Sequence, residues 1–257
     1  MPKENERFDQ VNENIRLFSK KQGLTFGTDA YLLYAYLPKK NRGGLAADLG
    51  AGTGILSLLA LTGGRANKVY AIEFQSDFAE LCQKNASENQ LSDRLYPICK
   101  DIRELTDADL EGQKCDLVFT NPPYLKAECG MHNAATEMDQ ARREICGTID
   151  DFCAAAGRIL RFGGAFFCVY RPDRLSDLFS AMKRAKIEPK RLTWIYPDRE
   201  SAPCLLLCEG RLGGASGLFV TKPLFLYESK GENPVRQTAV LASIYEKGEF
   251  DESYRRP

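Results

Sequence analysis

The stretch ADLGAGTG, residues 47–54, constrains this chain more than any other. A short apolar run, 45–49, carries one acid at Asp48, meets glycines at 50, 52 and 54, and passes at once into the apolar segment ILSLLALT. A buried strand, a sharp turn and a helix N-terminus are the reading of that order. Glycines there let the backbone turn tightly and approach a ligand closely, with the first amides of the helix facing it. The spacing is G-x-G-x-G, and Ile55 occupies the slot where a dinucleotide fingerprint needs its third glycine. A nicotinamide enzyme is disfavoured on that ground.

Beyond the turn, short apolar runs alternate with helix-period segments, as βαβ units of a parallel sheet require. Strands are expected at about 45–49, 68–73, 95–99, 115–120, 164–170, 191–196 and 203–210. Between them GILSLLALTGG, SDFAELCQKNASENQ (capped by its Ser or Asp), TIDDFCAAAGRIL and DRLSDLFSAMKRAKI read as helices. The fold class is therefore α/β, a doubly wound seven-stranded, mostly parallel sheet. GLFVTKPLFLYE alternates around Pro223, which cannot donate to a central ladder, so it is expected as an edge strand or hairpin. Before the first strand, GLTFGTDAYLLYAYLP predicts a loop and a short apolar helix capped by Thr28 or Asp29. The expected division is an N-terminal segment, 1–44, packing over the cofactor site, a catalytic domain, 45–230, and a polar extension, 231–257, that frays.

With 257 residues the chain is long enough for one sizeable core, and 44% hydrophobic with 27% charged residues excludes a disordered or collagen-like chain. Formal net charge is zero, so a nucleic-acid partner must be held by local patches. The N-terminus MPKENERFDQ has no apolar signal core, and no apolar run is long enough to span a bilayer, so no membrane partner and a cytoplasmic location are expected. Nine cysteines are scattered without a C-x-x-C pair, which reads as reduced, mostly buried thiols and no metal site.

The strand KVYAIE ends at Glu73, about 20 residues past the turn, where an acid accepts hydrogen bonds from ribose hydroxyls. After the next strand comes KDIRE, with Asp101 and Ile102. Acids at the carboxyl ends of three successive strands converge on one crevice. An acid followed by G-x-G-x-G resembles motif I of the class I S-adenosylmethionine-dependent methyltransferases. That resemblance implies S-adenosyl-L-methionine as cofactor, the glycine turn under its methionine and ribose, and Asp101 and Ile102 beside its adenine. The implied cofactor site is Phe26, Asp48, Gly50, Ala51, Gly52, Gly54, Glu73, Phe74, Asp101, Ile102 and Asn121.

The fourth strand ends in DLVFTNPPY, placing Asn121, Pro122, Pro123 and Tyr124 across the switch point from the glycine turn. A proline turn that merely stops a strand is the plain reading of such a pair. Behind an acid-G-x-G-x-G strand, NPPY resembles motif IV of methyltransferases acting on nitrogen of a planar amine or amide. The resemblance implies that the Asn121 side-chain oxygen and the Pro122 carbonyl accept the two N–H bonds and that Tyr124 stacks on the planar group. The prolines fix that carbonyl in place. Positioning and electrostatics then carry the reaction without a strong general base.

Adenine N6, guanine N2 and a protein glutamine amide all suit this motif. TFGTDAYLL, NPPYLKAECGMHN with ARREI, and GRLGGASGLFVTKPLFLYE extend the resemblance to the bacterial methyltransferases of valine tRNA, which modify an adenine N6 next to the anticodon. Glutamine methyltransferases carry a substantial N-terminal domain, for which about 44 residues are too few, and two-domain guanine enzymes are longer. Arg143 stands where that family usually has His, which bears on the substrate contact. Lys126, Arg142 and Arg143 are candidate tRNA contacts beside Tyr124. Basic groups at 20–21, 39–42 and 183–186 read as solubility charges. His132 reads as a loop hydrogen-bonder, and Trp194, Tyr31, Tyr34 and Tyr36 as packing residues. A cofactor-binding RNA module without turnover is the rival from another class.

Overall fold

A computed structural model describes residues 5–21, 27–39, 44–122, 147–229 and 236–255. The chain opens with strands β1 (Glu6–Asn12) and β2 (Ile15–Lys20), followed by helix α1 (Thr28–Tyr36). The alternating units come next: β3 (Leu45–Leu49), α2 (Ile55–Thr62), β4 (Lys68–Glu73), α3 (Ser76–Glu88), β5 (Leu95–Cys99) and β6 (Cys115–Thr120). After the next described helix, α4 (Ile149–Ile159), run β7 (Leu160–Tyr170), α5 (Leu175–Arg184), β8 (Ile187–Tyr196) and β9 (Leu205–Leu212). Two short strands, β10 (Phe219–Val220) and β11 (Leu224–Phe225), and helix α6 (Ala239–Lys247) finish the fold.

The main sheet runs β10-β8-β9-β7-β6-β3-β4-β5, with β11 also on β8. Only β9 is antiparallel to its neighbours. Chain order reverses between β3 and β6, so the crevice at their carboxyl ends is the switch point. Strands buried on both faces read as near-continuous apolar runs because each face needs its own cover. Ala46, Val69, Leu117 and Phe119 face one core, closed by α1, α2, α3 and α6; Ala47, Ile72, Val118 and Phe166 face the other, closed by α4 and α5. Pro97 is tolerated because β5 is an edge strand.

Several expectations change or narrow. The N-terminal segment holds the expected helix but also an antiparallel hairpin, β1–β2. Its free edge is satisfied by side chains of α3: the Phe18 amide donates to Asn85 Oδ1 at 2.7 Å while Asn85 Nδ2 donates to Phe18 O at 3.0 Å, and Asn89 does the same for Arg16 at 2.9 and 2.7 Å. Helix α1 is capped by Gly27 rather than Thr28 or Asp29, and α3 by Gln75 rather than its Ser or Asp, neither with a side-chain cap bond. The segment around Pro223 forms an edge and not a hairpin, because β10 and β11 each lie parallel to β8. The C-terminal tail, through residue 255, packs rather than frays. Thr238 caps α6, Leu241, Ile244, Phe250 and Tyr254 are buried, and the Arg191 guanidinium bonds Tyr254 O and Tyr36 O at 3.0 Å each.

Tyr34 and Tyr36 are core residues, and Trp194 and Tyr31 pack partly buried against the two cores, as expected. Lys20 pairs with Asp77, Lys183 with Glu188 and Arg184 with Asp150, the solvated pairs their positions suggest. Five of the seven described cysteines are buried. Among the described residues no helix is long and apolar enough to cross a membrane.

Candidate active site

The turn after β3 stays tied to β4 as it leaves the sheet: the Gly50 and Ala51 amides both donate to Ile72 O, at 2.9 and 3.0 Å. Gly54 closes the turn, its amide bonding Ala51 O at 2.8 Å, and caps α2 with φ of 82°. A Cβ there would stand 2.4 Å from Cys82 Sγ, so both the conformation and the space demand glycine. Gly52, with φ of 55°, differs in its surroundings. A Cβ on it would meet nothing within 4 Å, so this part of the turn presents bare backbone to open space.

Glu73, at the end of β4, braces the turn from the side. Its Oε2 accepts from the Gly52 amide at 2.8 Å and its Oε1 from the Gln75 amide at 2.9 Å. Each carboxylate oxygen retains a second acceptor direction. Asp48 is 1% exposed and accepts from Ser57 Oγ at 2.7 Å. Burial pushes its carboxyl up to about 7, with the Ser57 hydrogen bonds opposing and the Glu73 charge reinforcing. Asn85 was not legible as a site residue, yet its Nδ2 also donates to Thr53 O at 2.9 Å and so links the hairpin to the glycine turn. Its signal was an Asn inside a helix, where Asn is disfavoured without a specific partner, four residues before a second Asn at the helix C-cap.

Asp101 caps the short helical turn Ile102–Glu104, accepting from the Arg103 amide at 2.8 Å. Both oxygens also receive the Arg103 guanidinium, with Nε at 3.0 and 2.9 Å, which holds the Asp101 carboxyl below the usual range. Ile102 is buried, while Phe74 is 45% exposed at the end of β4. On the other side of the switch point Thr120 pairs with Leu49 in register, and its Oγ1 donates to Leu49 O at 2.7 Å. The residues that follow, Gly50 and Asn121, therefore emerge side by side. Asn121 is partly buried and Pro122 buried. Phe26, Pro123, Tyr124, Lys126, His132, Arg142 and Arg143 lie outside the described residues.

A switch point with bare glycine backbone, carboxylates toward the ends of β3, β4 and β5 and an Asn-Pro pair after β6 has the arrangement of the ligand site of a doubly wound α/β protein. Residues 10–186 match the family model described as methyltransferase small domain. The chain belongs to that family and is a methyltransferase. It is 29% identical over 189 residues to the tRNA1(Val) (adenine(37)-N6)-methyltransferase of Porphyromonas gingivalis, covering 72% of this chain and 73% of the relative. The protein of the same name from Shewanella sediminis is 27% identical over 186 residues, covering 70% and 73%. In fold, a predicted O-methyltransferase from Agrobacterium tumefaciens superposes with a TM-score of 0.68 at 21% identity, covering 87% of this chain and 98% of that one.

Proposed function

We propose that the protein is an S-adenosylmethionine-dependent N-methyltransferase acting on the exocyclic N6 of an adenine in tRNA, next to the anticodon. One observation carries this reading: Gly50 and Asn121 leave adjacent, cross-bonded strands at the switch point, which brings the glycine turn and the Asn-Pro pair to the two walls of one crevice. The two named relatives, each aligned over more than two thirds of both chains, support adenine over the other planar nitrogens.

The residues present suit the cofactor. The open side of Gly52 leaves room for a ligand against the backbone, and Glu73 has acceptor capacity for a ribose diol. Asp48, neutral or charged near pH 7, supplies negative charge beneath the turn when a cation is near. Phe74 and Ile102 offer apolar surface for a purine, with Asp101 as acceptor for its amino group. Bound there, S-adenosylmethionine supplies a methyl group on a positively charged sulfur. Asn121 Oδ1 and the Pro122 carbonyl accept the two N–H bonds of the target amine, which aims its lone pair and stabilises the positive charge that grows on nitrogen. Pro123 rigidifies this corner and Tyr124 provides the stacking plane. Lys126, Arg142 and Arg143 contact the RNA backbone. Residues 45–230 form the catalytic unit, and the segment 1–44, with Phe26, flanks the cofactor.

Incubating the protein with methyl-labelled cofactor and total RNA, then digesting to nucleosides, tests the proposal. N6-methyladenosine from the tRNA fraction is the expected product. Label in N2-methylguanosine or in protein glutamine would move the substrate class, and no transfer would leave a cofactor-binding module.

A further inference from the structure

The rim formed by the carboxyl ends of the parallel strands is chemically divided. On the β3–β4–β5 side it carries Asp48, Glu73 and Asp101. On the other side β7, β8 and β11 each end in an aromatic residue, Tyr170, Tyr196 and Phe225. β7 is parallel to β6, β8 is parallel to β7 through two antiparallel pairings with β9, and β11 is parallel to β8. All three rings therefore stand on the edge that carries Asn121.

Tyr196 and Phe225 are register partners, and their partly buried rings lie 5.4 Å apart at 40°. The Arg199 guanidinium lies over the Phe225 ring, 4.9 Å from its centroid. Arg171 and Arg174 on the same rim are matched by Asp173 and Asp177, whereas exposed Arg199 pairs with no carboxylate among the described residues. Its turn is fixed from within: buried Asp198 accepts from the Glu200 and Ser201 amides and the Ser201 hydroxyl, each at 2.9 Å. An accessible arginine stacked on an aromatic pair, on a preformed turn, suits a ligand that is flat and anionic.

We propose that Tyr196, Phe225 and Arg199 dock an unpaired nucleotide of the substrate RNA near the target base, the rings and guanidinium stacking on its base and Arg199 contacting phosphate. This deepens, and rests on, the RNA-methylating reading above. Three strand steps separate β8 from β6, about 14 Å at ~4.8 Å each, so the docked nucleotide is close to the target without adjoining it. Zero net charge leaves such local contacts to do what a global field does in basic proteins.

The test uses the full chain, an unmodified tRNA transcript and the variants Arg199→Ala and Phe225→Leu, the latter keeping apolar cover over β8. Each is expected to raise the KM for tRNA about tenfold, the scale of one lost base stack, with kcat at saturating tRNA and the thermal midpoint little changed. Arg199→Ala is also expected to flatten the salt dependence of tRNA binding by about 0.7 in log–log slope. Methylation by the unaltered protein with an unchanged KM in both variants would overturn the docking surface and leave the active-site reading standing. A fall in thermal midpoint for Phe225→Leu with Arg199→Ala neutral would make the cluster packing alone and overturn it equally. Failure of the unaltered protein to methylate any RNA would remove both.

Discussion

Asp48 keeps its proton to a much higher pH than a solvated aspartate because burial disfavours the charged form. Since its folded value lies near 7 and its unfolded value near 3.8, the stability it contributes is fully present below pH 4 and is lost as pH rises to 7. Asp48→Asn removes that loss while an amide oxygen can still accept from Ser57. Denaturant unfolding of the cofactor-free protein is expected to show the variant gaining on the wild type between about pH 4 and pH 7, by at most about 4 kcal/mol, with no further gain above that. A difference independent of pH contradicts the burial of the charge. Asp101 offers a second residue-scale test because Arg103 competes for the oxygens assigned to the cofactor's amino group. Arg103→Ala is expected to tighten cofactor binding and Asp101→Ala to weaken it about tenfold, measured by titration calorimetry. Changes of the same sign in both would show that the pair acts only as a structural brace.

Among the elements, α3 has two jobs that its paired asparagines separate. Asn85 and Asn89 both stand in for a strand along β2, but only Asn85 reaches the glycine turn. Asn85→Ala is expected to cost about 2–4 kcal/mol, since it strands buried backbone groups, and to raise the KM for cofactor with kcat retained. Asn89→Ala is expected to cost under about 1 kcal/mol and leave that KM alone. Equal effects on KM would mean that the hairpin as a whole, rather than the Thr53 contact, positions the turn. The amides also explain why the hairpin was not legible: neither strand alternates cleanly, and the partner of β2 on its outer side is a helix. Strands β3, β4 and β6 could be read from sequence to the residue because both faces are buried and the runs are continuous, and the half-buried edge strand β5 because it follows α3 at the spacing of the βαβ repeat. β7 begins at Leu160, earlier than the expected 164, because Gly163 and Gly164 lie within the strand, and its ladder to β6 is irregular there. The glycine turn and Glu73 could be read from motif spacing, whereas the Asp101–Arg103 pair and the burial of Asp48 depend on side-chain packing that spacing does not encode.

At the scale of the whole molecule, the C-terminal tail is part of the core. Phe250 packs edge-on against Tyr36 and Tyr254, with centroids 5.3 and 5.1 Å apart, and Arg65, 1% exposed, donates to Gly248 O at 2.5 Å beyond α6. Polar flanks hid this helix in the sequence although its Thr cap and terminal glycine were present. Phe250→Ala is expected to lower stability by about 3–5 kcal/mol in denaturant unfolding, and an unaltered midpoint would mean that the tail frays after all. The tail thereby helps to fix α1 and β8, while the hairpin is tied through Asn85 to the glycine turn. Between them lies the switch point, where Asn121 and Gly50 leave register-paired neighbours. The most direct measurement is methyl transfer to tRNA by Asn121→Ala beside its cofactor affinity. The account expects turnover to fall at least about a hundredfold with the cofactor Kd nearly unchanged, and it is contradicted if the variant still transfers methyl groups to adenine at the wild-type rate.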